Sequence, residues 1–423
     1  MKSLMIGVCT AAVILSGCGN NDSKSSETSG YDVPAVGTSK PLAAFNFKLG
    51  SVTFSNGFEL NATWGLGSAA AHRAGDDGRT FYSMTDRGVN IKCKDDQKII
   101  GIDICDKGKI FPFPTFTPTI FKYTLSENEA TVRQVIPLKD KDGNPISGVS
   151  NKLSNFTEKA YDINGSEMTY DPNGLDTEAL AVLKDGSFWI GEEYAPSLVH
   201  ADAEGKIIER LVPAGLEAEL STANYTVKGD LPAIIAKRHP NRGIEAIAVS
   251  PDEKYIYFSI QSPLDNPDYA KTRNVRMYKM AINDHSDIKE YLYRIDLPET
   301  FHKDNATKTR KQKDVKVSEM TSLEDGTVLV LERISKTTKL YRIDFNTATP
   351  VPASKSATLE TNDAGVVAIA KTEVFNTDQL DGFPSKVEGI APLGNGKFVT
   401  INDNDFGIKG DPTVIKIADI DVN

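Results

Sequence analysis

The chain has 423 residues, of which 39% are hydrophobic and 25% are charged, a composition typical of a folded globular protein. Its formal net charge is −10 and its pI is about 5.2. Because binding to a phosphate backbone requires clustered lysines and arginines, this charge balance excludes nucleic acid as the expected partner. The length fits either several average domains or one large all-β unit.

The first 18 residues have the pattern of an export signal. Lys2 gives a positive start, and residues 4–15 form an apolar stretch that is too short to span a membrane as a mature helix. The sequence Leu15-Ser16-Gly17-Cys18 resembles the bacterial lipobox, in which the cysteine is lipidated. A plain secretory signal with an incidental cysteine is the alternative. We predict a lipoprotein in the bacterial cell envelope, anchored to the outer membrane only through Cys18 and facing the periplasm or the cell surface.

The segment that follows, residues 19–41, is almost free of apolar side chains and is predicted to be a flexible tether. Residues 42–423 are predicted to form one domain. After the signal, the remaining cysteines are Cys93 and Cys105. In an exported protein we expect them to form a disulfide, which contributes roughly 3 kcal/mol for a loop of this size. A metal site is the weaker interpretation, because no histidine lies between or beside them.

A two-strand pattern recurs along the chain. Each copy opens with a glutamate on a short apolar strand, passes a Gly or Asp turn, and closes a second apolar strand with charged or amide residues. The opening residues are Glu178, Glu245, Glu319 and Glu388. A degenerate first copy runs from Gly65 to Arg87. Copies about 70 residues apart, each with about four short strands, are typical of propeller blades.

We therefore predict an all-β fold, a β-propeller with five recognisable four-stranded blades. The regular spacing disfavours the alternative, a β-sandwich with coincidental hairpins. A sixth blade fits between Gly67 and Glu178, or the N-terminal segment Phe45–Phe54 completes the last blade. Residues 214–237 alone have fair helical spacing.

The hairpin pattern predicts a cluster of acidic side chains. Paired positions in an antiparallel hairpin sum to a constant, so the opening glutamate and the closing polar residue lie at the same end of each copy. If these hairpins are the inner strands, their ends gather at one mouth of the central channel. Carboxylates that converge repel one another unless a cation or protons separate them, and hard oxygen ligands favour Ca²⁺, or Mg²⁺ where waters complete the shell. The predicted metal ligands are Glu178, Glu245, Glu319 and Glu388.

Basic residues lie beside the same strand ends. Guanidinium groups bind phosphate or carboxylate oxygens in a fork geometry, and a metal with a bound anion is the arrangement that metal-assisted ester hydrolysis requires. The predicted substrate-binding residues are Arg87, Arg242, Arg333 and Lys386. The residues predicted to position water are Asp86, Glu192 and Glu193. The alternative is that each glutamate pairs with a cation of the neighbouring blade and only locks the ring.

Five stretches of the sequence resemble the phytase-like family described as having esterase-like activity of phytase. They are Ser83 to Gly88, Gly174 to Ala181, Gly191 to Tyr194, Arg242 to Ile247 and Lys386 to Ile390. The resemblance covers about residues 45–420 and implies a propeller with phosphoester hydrolase activity. By looser analogy with propeller phytases, it also implies dependence on a divalent cation. The segment Thr63–Ser68 departs from the pattern because it has no glutamate, so the first blade is expected to lack a ligand there.

Taken together, these features predict an anchored hydrolase that cleaves a small anionic ester, a phosphoric ester first, at the channel mouth. Two other functions fit the same residues. One is a non-catalytic propeller that binds a protein or a glycan, and the other is a Ca²⁺-dependent lactonase or carboxylesterase. The sequence leaves the oligomeric state open.

Overall fold

The computed structural model of the protein describes residues 30–154 and 156–422, so the predicted signal and Cys18 lie outside the described residues. The strands of the first half are β1 (Ser39–Pro41), β2 (Lys48–Thr53), β3 (Glu59–Thr63), β4 (Ala69–Ala71), β5 (Thr80–Met84), β6 (Ile91–Lys92), β7 (Lys109–Ile110), β8 (Thr119–Leu125), β9 (Glu129–Pro137), β10 (Ala160–Tyr161), β11 (Thr177–Val182), β12 (Phe188–Glu192), β13 (Ser197–Ala201), β14 (Ile207–Pro213) and β15 (Thr226–Leu231). The strands of the second half are β16 (Ile244–Val249), β17 (Tyr255–Ile260), β18 (Asn274–Ala281), β19 (Asp284–Arg294), β20 (Lys316–Ser322), β21 (Val328–Arg333), β22 (Thr338–Ile343), β23 (Lys371–Asn376), β24 (Val387–Gly394), β25 (Lys397–Asn402) and β26 (Ile415–Asp419).

The helices are short. The α-helices are α1 (Asp96–Ile100), α2 (His302–Asn305) and α3 (Ala353–Ser356). The 3-10 turns are Leu42–Ala44, Cys93–Asp95, Ala233–Lys237, Tyr269–Lys271, Pro298–Thr300, Gln312–Asp314, Thr377–Gln379 and Asp405–Gly407. Within the described residues, none of the helices has the length and apolar character needed to cross a membrane.

Most strands belong to five sheets, numbered here in chain order. Their strand orders are β4-β5-β8-β9-β1 in the first sheet, β11-β12-β13-β14-β15 in the second, β16-β17-β18-β19 in the third, β20-β21-β22-β23 in the fourth and β24-β25-β26 in the fifth. Neighbouring strands are antiparallel, except that β15 runs parallel to β14. Two smaller sheets, β2-β3 and β10-β7-β6, lie outside this series.

The first strands of the five sheets lie side by side in a cycle. Strand β4 contacts β11, β11 contacts β16, β16 contacts β20, β20 contacts β24, and β24 returns to β4. At the closing contact, a Cβ atom on Gly389 would lie 2.8 Å from the backbone of Ala69 and Ala70, so only glycine fits there. The protein is therefore all-β, and its sheets surround one axis as propeller blades do.

Apolar side chains fill the spaces between neighbouring sheets. Tyr82 and Ile120 of the first sheet pack in one cluster with Phe188 of the second, and Tyr257 of the third packs with Val330 of the fourth. The first two strands of each of these sheets are mostly buried on both faces, which explains why they are continuous apolar runs in the sequence rather than alternating ones.

The predicted tether ends inside the fold. Within residues 19–41, the segment Ser39–Pro41 forms β1 and pairs with the outer edge of the first sheet, with Lys40 opposite Ala130. Further back, the Trp64 indole N–H donates a hydrogen bond of 2.8 Å to the carbonyl oxygen of Asp32. Backbone pairing and this hydrogen bond overcome the low apolar content of the segment.

Three further expectations differ from the structure. The residues between Gly67 and Glu178 supply the rest of the first sheet and the small sheet β10-β7-β6, not a sixth blade. In the segment Phe45–Phe54, β2 pairs with β3 and not with the fifth sheet, although the Phe45 amide donates to the carbonyl of Thr413. Residues 214–237 contain β15 and a 3-10 turn, because the edge of the second sheet offers backbone partners.

The disulfide is confirmed. Cys93 and Cys105 are bonded at 2.05 Å and close a loop that contains α1. Inside this loop the buried carboxylate of Asp96 accepts a hydrogen bond of 2.8 Å from the backbone N–H of Ile104. The loop is therefore held both covalently and by an internal hydrogen bond.

Candidate active site

The first strands of the second to fifth sheets each have a β-bulge near their start. The residue that the bulge leaves unpaired is one position after the first paired residue in the second, third and fifth sheets, and two positions after it in the fourth. These residues are Glu178, Glu245, Ser318 and Glu388. A bulge re-aims the side chain that it carries, so these four side chains leave their strands at equivalent places.

The third predicted metal ligand was therefore one residue out of register. Ser318 stands at the bulge of β20, and Glu319 is the next, paired residue, opposite Leu331. Successive residues of a strand point to opposite faces, so Glu319 points away from the other three glutamates.

The second strand of each sheet contributes a matching position at or just after its end. The residues at this position are Asp86, Glu193, Gln261, Arg333 and Asp403. Backbone hydrogen bonds hold this position of the second strand beside the start of the first strand. The Glu193 amide donates to the Asp176 carbonyl at 2.9 Å, and the Gln261 amide donates to the Gly243 carbonyl at 2.9 Å.

Apart from Ser318, the two sets of side chains line one cavity of about 340 Å³ at this end of the ring. The charged residues that line it are Asp86, Arg87, Lys92, Lys109, Asp176, Glu178, Glu193, Arg242, Glu245, Arg310, Asp314, Lys316, Arg333, Lys386, Glu388, Asp403 and Asp405. Of the residues predicted to act at the mouth, Glu192 and Glu319 do not line the cavity. The cavity holds both signs of charge in similar number.

Three carboxylates of the cavity form a candidate metal group. One oxygen from each of Asp86, Asp176 and Glu178 lies within 4.8 Å of the other two. Burial, followed by repulsion from Asp176, raises the pKa of Asp86 well above its usual value. Burial, followed by repulsion from Glu193, does the same to the pKa of Glu178. Hard carboxylate oxygens so close together fit a divalent cation such as Ca²⁺ or Mg²⁺.

Asp176 is held by its neighbours. Its carboxylate lies 3.1 Å from Nη1 of Arg87, and its amide donates a hydrogen bond of 3.1 Å to Glu192. Glu192 in turn pairs with Arg210 at 3.2 Å, and both side chains are almost fully buried. Glu192 was predicted to position water, but its place outside the cavity makes it a positioning residue for Asp176.

Arg87 is also committed to the protein. Besides Asp176, its guanidinium donates to the Gly148 carbonyl at 3.0 Å, to Glu158 at 3.0 Å and to the Ser150 hydroxyl at 2.8 Å. These partners occupy the N–H donors of Arg87. Arg87 therefore orients the carboxylate triad of Asp86, Asp176 and Glu178 and holds the loop that contains Gly148, Ser150 and Glu158.

Glu193 was predicted to be catalytic, and it lies in the cavity with an unusual proton affinity. Burial and the charges of Glu245 and Asp176 raise its pKa to about 8. Its side chain is only 3% exposed. Glu193 therefore holds a proton at neutral pH and has the pKa of a general acid.

Two of the predicted metal ligands instead share a cation. Arg333 of the fourth sheet forms an ion pair with Glu388 of the fifth, and its Nη2 lies 3.7 Å from Glu245 of the third. These two glutamates thus have the alternative arrangement named in the sequence analysis, in which a glutamate pairs with a cation of a neighbouring blade and locks the ring. Glu245 keeps one oxygen, Oε2, without a hydrogen-bond partner in the described residues.

Glu319 lies on the axis, below the cavity. Its carboxyl accepts backbone hydrogen bonds of 2.9 Å from Met320 and 3.3 Å from Ala70, and Ala70 belongs to the first sheet. Full burial raises its pKa well above the usual value. Glu319 joins sheets across the ring, which is a structural role.

The last two predicted substrate-binding residues differ from each other. Lys386 forms an ion pair with Asp405 and lies 3.7 Å from Asp403, whose pKa is raised to about 6 by burial and then by Asp405. Arg242, in contrast, is stacked over the Tyr269 ring at 5.3 Å and its Nη1 is buried without a hydrogen-bond partner in the described chain.

The cavity residues that the sequence analysis did not single out include Asp176, Gln261 and Lys316. The signal for Asp176 and Lys316 is the repeat itself, since each stands two residues before the bulged position of its strand. Gln261 is the third member of the set that contains Asp86 and Glu193. A register that placed Ser318 at the bulge would have identified all three.

A family model described as "Phytase-like: Esterase-like activity of phytase" matches residues 62–406. The chain belongs to this phytase-like family. An uncharacterized secreted protein of Arthroderma benhamiae is 26% identical over an alignment of 319 residues, and the match covers 65% of this chain. The chain spans 58% of that relative's length.

Solved structures with similar folds include three enzymes or binding proteins of low identity. An aldose sugar dehydrogenase of Streptomyces coelicolor has 11% identity and a TM-score of 0.32, and the match covers 91% of this chain and 98% of that chain. A calcium-binding regucalcin of Agrobacterium tumefaciens has 12% identity and a TM-score of 0.33, with 84% of this chain and 91% of that chain covered. A gluconolactonase of Xanthomonas campestris has 9% identity and a TM-score of 0.32, with 88% of this chain and 96% of that chain covered.

Proposed function

We propose that this phytase-like protein is an exported hydrolase of phosphoric esters that acts in the 340 Å³ cavity with a divalent cation, Ca²⁺ being the expected ion. The observation that carries the proposal is the convergence of Asp86, Asp176 and Glu178 in a cavity that also contains basic side chains. We further propose that the ring has five blades, one for each of the five sheets, and that the chain is anchored through Cys18.

The roles of the residues follow from their surroundings. Asp86, Asp176 and Glu178 would hold the cation, and Arg87 and Glu192 keep Asp176 in place. A bound divalent cation supplies Lewis-acid polarisation and lowers the pKa of nearby water.

Glu193 supplies the proton. It is protonated at neutral pH and lines the same cavity as the triad, so it can donate its proton to the oxygen of the departing alcohol. A water molecule forms a new bond to phosphorus as the bond to the alcohol breaks, and the alcohol leaves in its neutral form. The attacking water loses a proton to solvent, and the Glu193 carboxylate that remains takes a proton back from solvent.

The proposal is tested with a panel of phosphoric and carboxylic esters, assayed with Ca²⁺ and with a chelator. We expect phosphate release that the chelator abolishes and that Asp176→Asn lowers by at least about 100-fold. The matched control is Glu129→Gln, which removes one carboxylate from an exposed strand position. Turnover of carboxylic esters or lactones alone would favour the calcium-dependent lactonase or carboxylesterase, and no turnover of any ester would favour a binding propeller.

A further inference from the structure

Most basic side chains of the cavity are already neutralised. Ion pairs engage Arg87 with Asp176, Lys109 with Glu158, Arg310 with Asp304, Arg333 with Glu388 and Lys386 with Asp405. The side chains of Lys92, Arg242 and Lys316 differ, because in residues 30–154 and 156–422 they make neither an ion pair nor a hydrogen bond. These cations are available to a ligand.

Arg242 and Lys316 are brought together by the backbone where the third and fourth sheets meet. The Gln261 amide donates to the carbonyl of Gly243, which follows Arg242, and the Gln261 carbonyl accepts from Val317, which follows Lys316; both hydrogen bonds are 2.9 Å. The three side chains of Arg242, Gln261 and Lys316 therefore leave neighbouring backbone positions and line the same cavity.

Unsatisfied polar atoms mark this part of the cavity. Nη1 of Arg242 and Oε1 of Gln261 are buried without a hydrogen-bond partner in the described residues, and Gln261 is only 2% exposed. Buried polar atoms without partners cost about 1–3 kcal/mol each, so they are retained where a ligand completes them.

The electrostatics of the neighbours agree with an anion at this place. Burial and then the charge of Arg333 lower the pKa of Lys316 to about 8, and the opposing effect of Glu245 is too small to cancel this lowering. Of the nearby carboxyls, Glu193 is neutral at pH 7, and Glu245 is bound through Oε1 to Ser318 and lies near Arg333. An anion with two negative charges would stabilise the protonated lysine and use the free guanidinium donors.

We propose that Arg242, Lys316 and Gln261 form a subsite for the phosphoryl group of a phosphate monoester. The guanidinium fork and the ammonium bind its oxygens, and Oε1 of Gln261 accepts a hydrogen bond from a hydroxyl of the ligand. The inference rests on the proposed function and specifies its substrate class: a dianionic phosphate monoester is preferred to a singly charged carboxylate. The triad belongs to the first and second sheets, so the anion subsite lies on the adjoining sheets and is chemically separate from it.

Calorimetric titration of the full chain with inorganic phosphate, in the presence of a chelator, tests the subsite without requiring turnover. We expect wild-type protein to bind phosphate, and Arg242→Gln or Lys316→Gln to weaken binding by about 10- to 100-fold each. Lys397→Gln, which removes one exposed lysine paired with Asp419, is the charge-matched control and should bind like the wild type.

Two further variants keep the result interpretable. Arg242→Lys and Lys316→Arg preserve the charge and should retain most of the binding, which separates loss of the subsite from loss of folding. Asp176→Asn should abolish hydrolysis but leave phosphate binding in chelator intact, so the hydrolase proposal and the subsite can fail independently. Absence of phosphate binding by the wild type, or unchanged binding in the doubly substituted Arg242→Gln, Lys316→Gln protein, would overturn the subsite.

Discussion

Ser318 donates a hydrogen bond of 3.0 Å from its hydroxyl to Oε1 of Glu245, so the bulged residues of two adjacent inner strands touch each other. The same hydroxyl accepts a hydrogen bond of 2.9 Å from Nε of Arg333. In the fourth sheet, a serine thus replaces the glutamate found at this position in the second, third and fifth sheets. Arg333 faces Glu245 across this serine, which explains why the ring carries a cation there instead of a further carboxylate.

Substitution of Glu319 tests this register. Because the amide oxygen of glutamine can accept the same backbone hydrogen bonds, Glu319→Gln should change the free energy of unfolding by less than about 1 kcal/mol, whereas Glu319→Ala leaves backbone donors unpaired and should lower it by about 1–3 kcal/mol. Urea unfolding measures both. Calcium affinity should stay at the wild-type value in Glu319→Gln; a loss as large as that caused by Glu178→Gln would return Glu319 to the metal site.

Replacing Glu193 should separate chemistry from metal binding. Glu193→Gln removes the proton donor and keeps the shape of the side chain, so we expect kcat to fall by about 100- to 10,000-fold with little change in calcium affinity. In the wild type, kcat should decline as the pH rises through the pKa of Glu193, which is about 8 in the metal-free protein and lower with Ca²⁺ bound. If kcat of the variant declines at alkaline pH in the same way as kcat of the wild type, the decline belongs to another titrating group.

The stability of the metal-free protein should depend on pH. Glu193 and Asp403 have native pKa values of about 8 and about 6, above their usual values of 4.5 and 3.8. The native state therefore binds more protons than the unfolded state in this window. The stabilisation is complete below the usual pKa values and is lost as the pH rises through about 6 and then about 8.

Urea unfolding in chelator between about pH 5 and pH 8 should show this loss, by a few kcal/mol. Added Ca²⁺ should flatten the dependence, because the cation replaces the protons that separate the carboxylates. Stability that rises with pH over the same window, in chelator, would contradict the expectation.

Removal of the disulfide should destabilise the fold and leave the triad competent. Replacing Cys93 and Cys105 by serine should lower the free energy of unfolding by about 3 kcal/mol, since the unfolded chain regains the freedom of the closed loop. Calcium affinity, measured by calorimetry, should remain within about threefold of the wild type because the triad lies on other segments. Equal stability of the two proteins would show that the loop is held by its hydrogen bonds alone.

The sequence was sufficient to predict the hairpins and the convergence of their ends. In the second sheet, the apolar strands around the turn at Gly186 leave only one pairing, and Glu178 and Glu193 meet as the hairpin geometry requires. The cysteine pair was equally predictable, because an exported chain with two remaining thiols has one pairing available.

The remaining features depended on contacts that local pattern does not contain. A bulge adds one residue to a strand and reverses the face to which the following side chains point. In the sequence Glu319 therefore looked equivalent to Glu245, although the equivalent residue is Ser318. Glu192 looked catalytic because its partner, Arg210, comes from the fourth strand of the same sheet, 18 positions along the chain. Spacing cannot show which carboxylate finds such a partner.

The contact that completes the ring joins distant parts of the chain. Asn404 donates a hydrogen bond of 3.1 Å to the Thr63 hydroxyl across 341 positions of sequence, close to where β24 reaches β4. Contacts of such long range form late in folding, because loop-closure entropy opposes them until most other structure exists. The fifth sheet must therefore have left the ribosome or the translocation channel before the cavity of a protein molecule can be complete. Until then the wall of the cavity lacks Asp403.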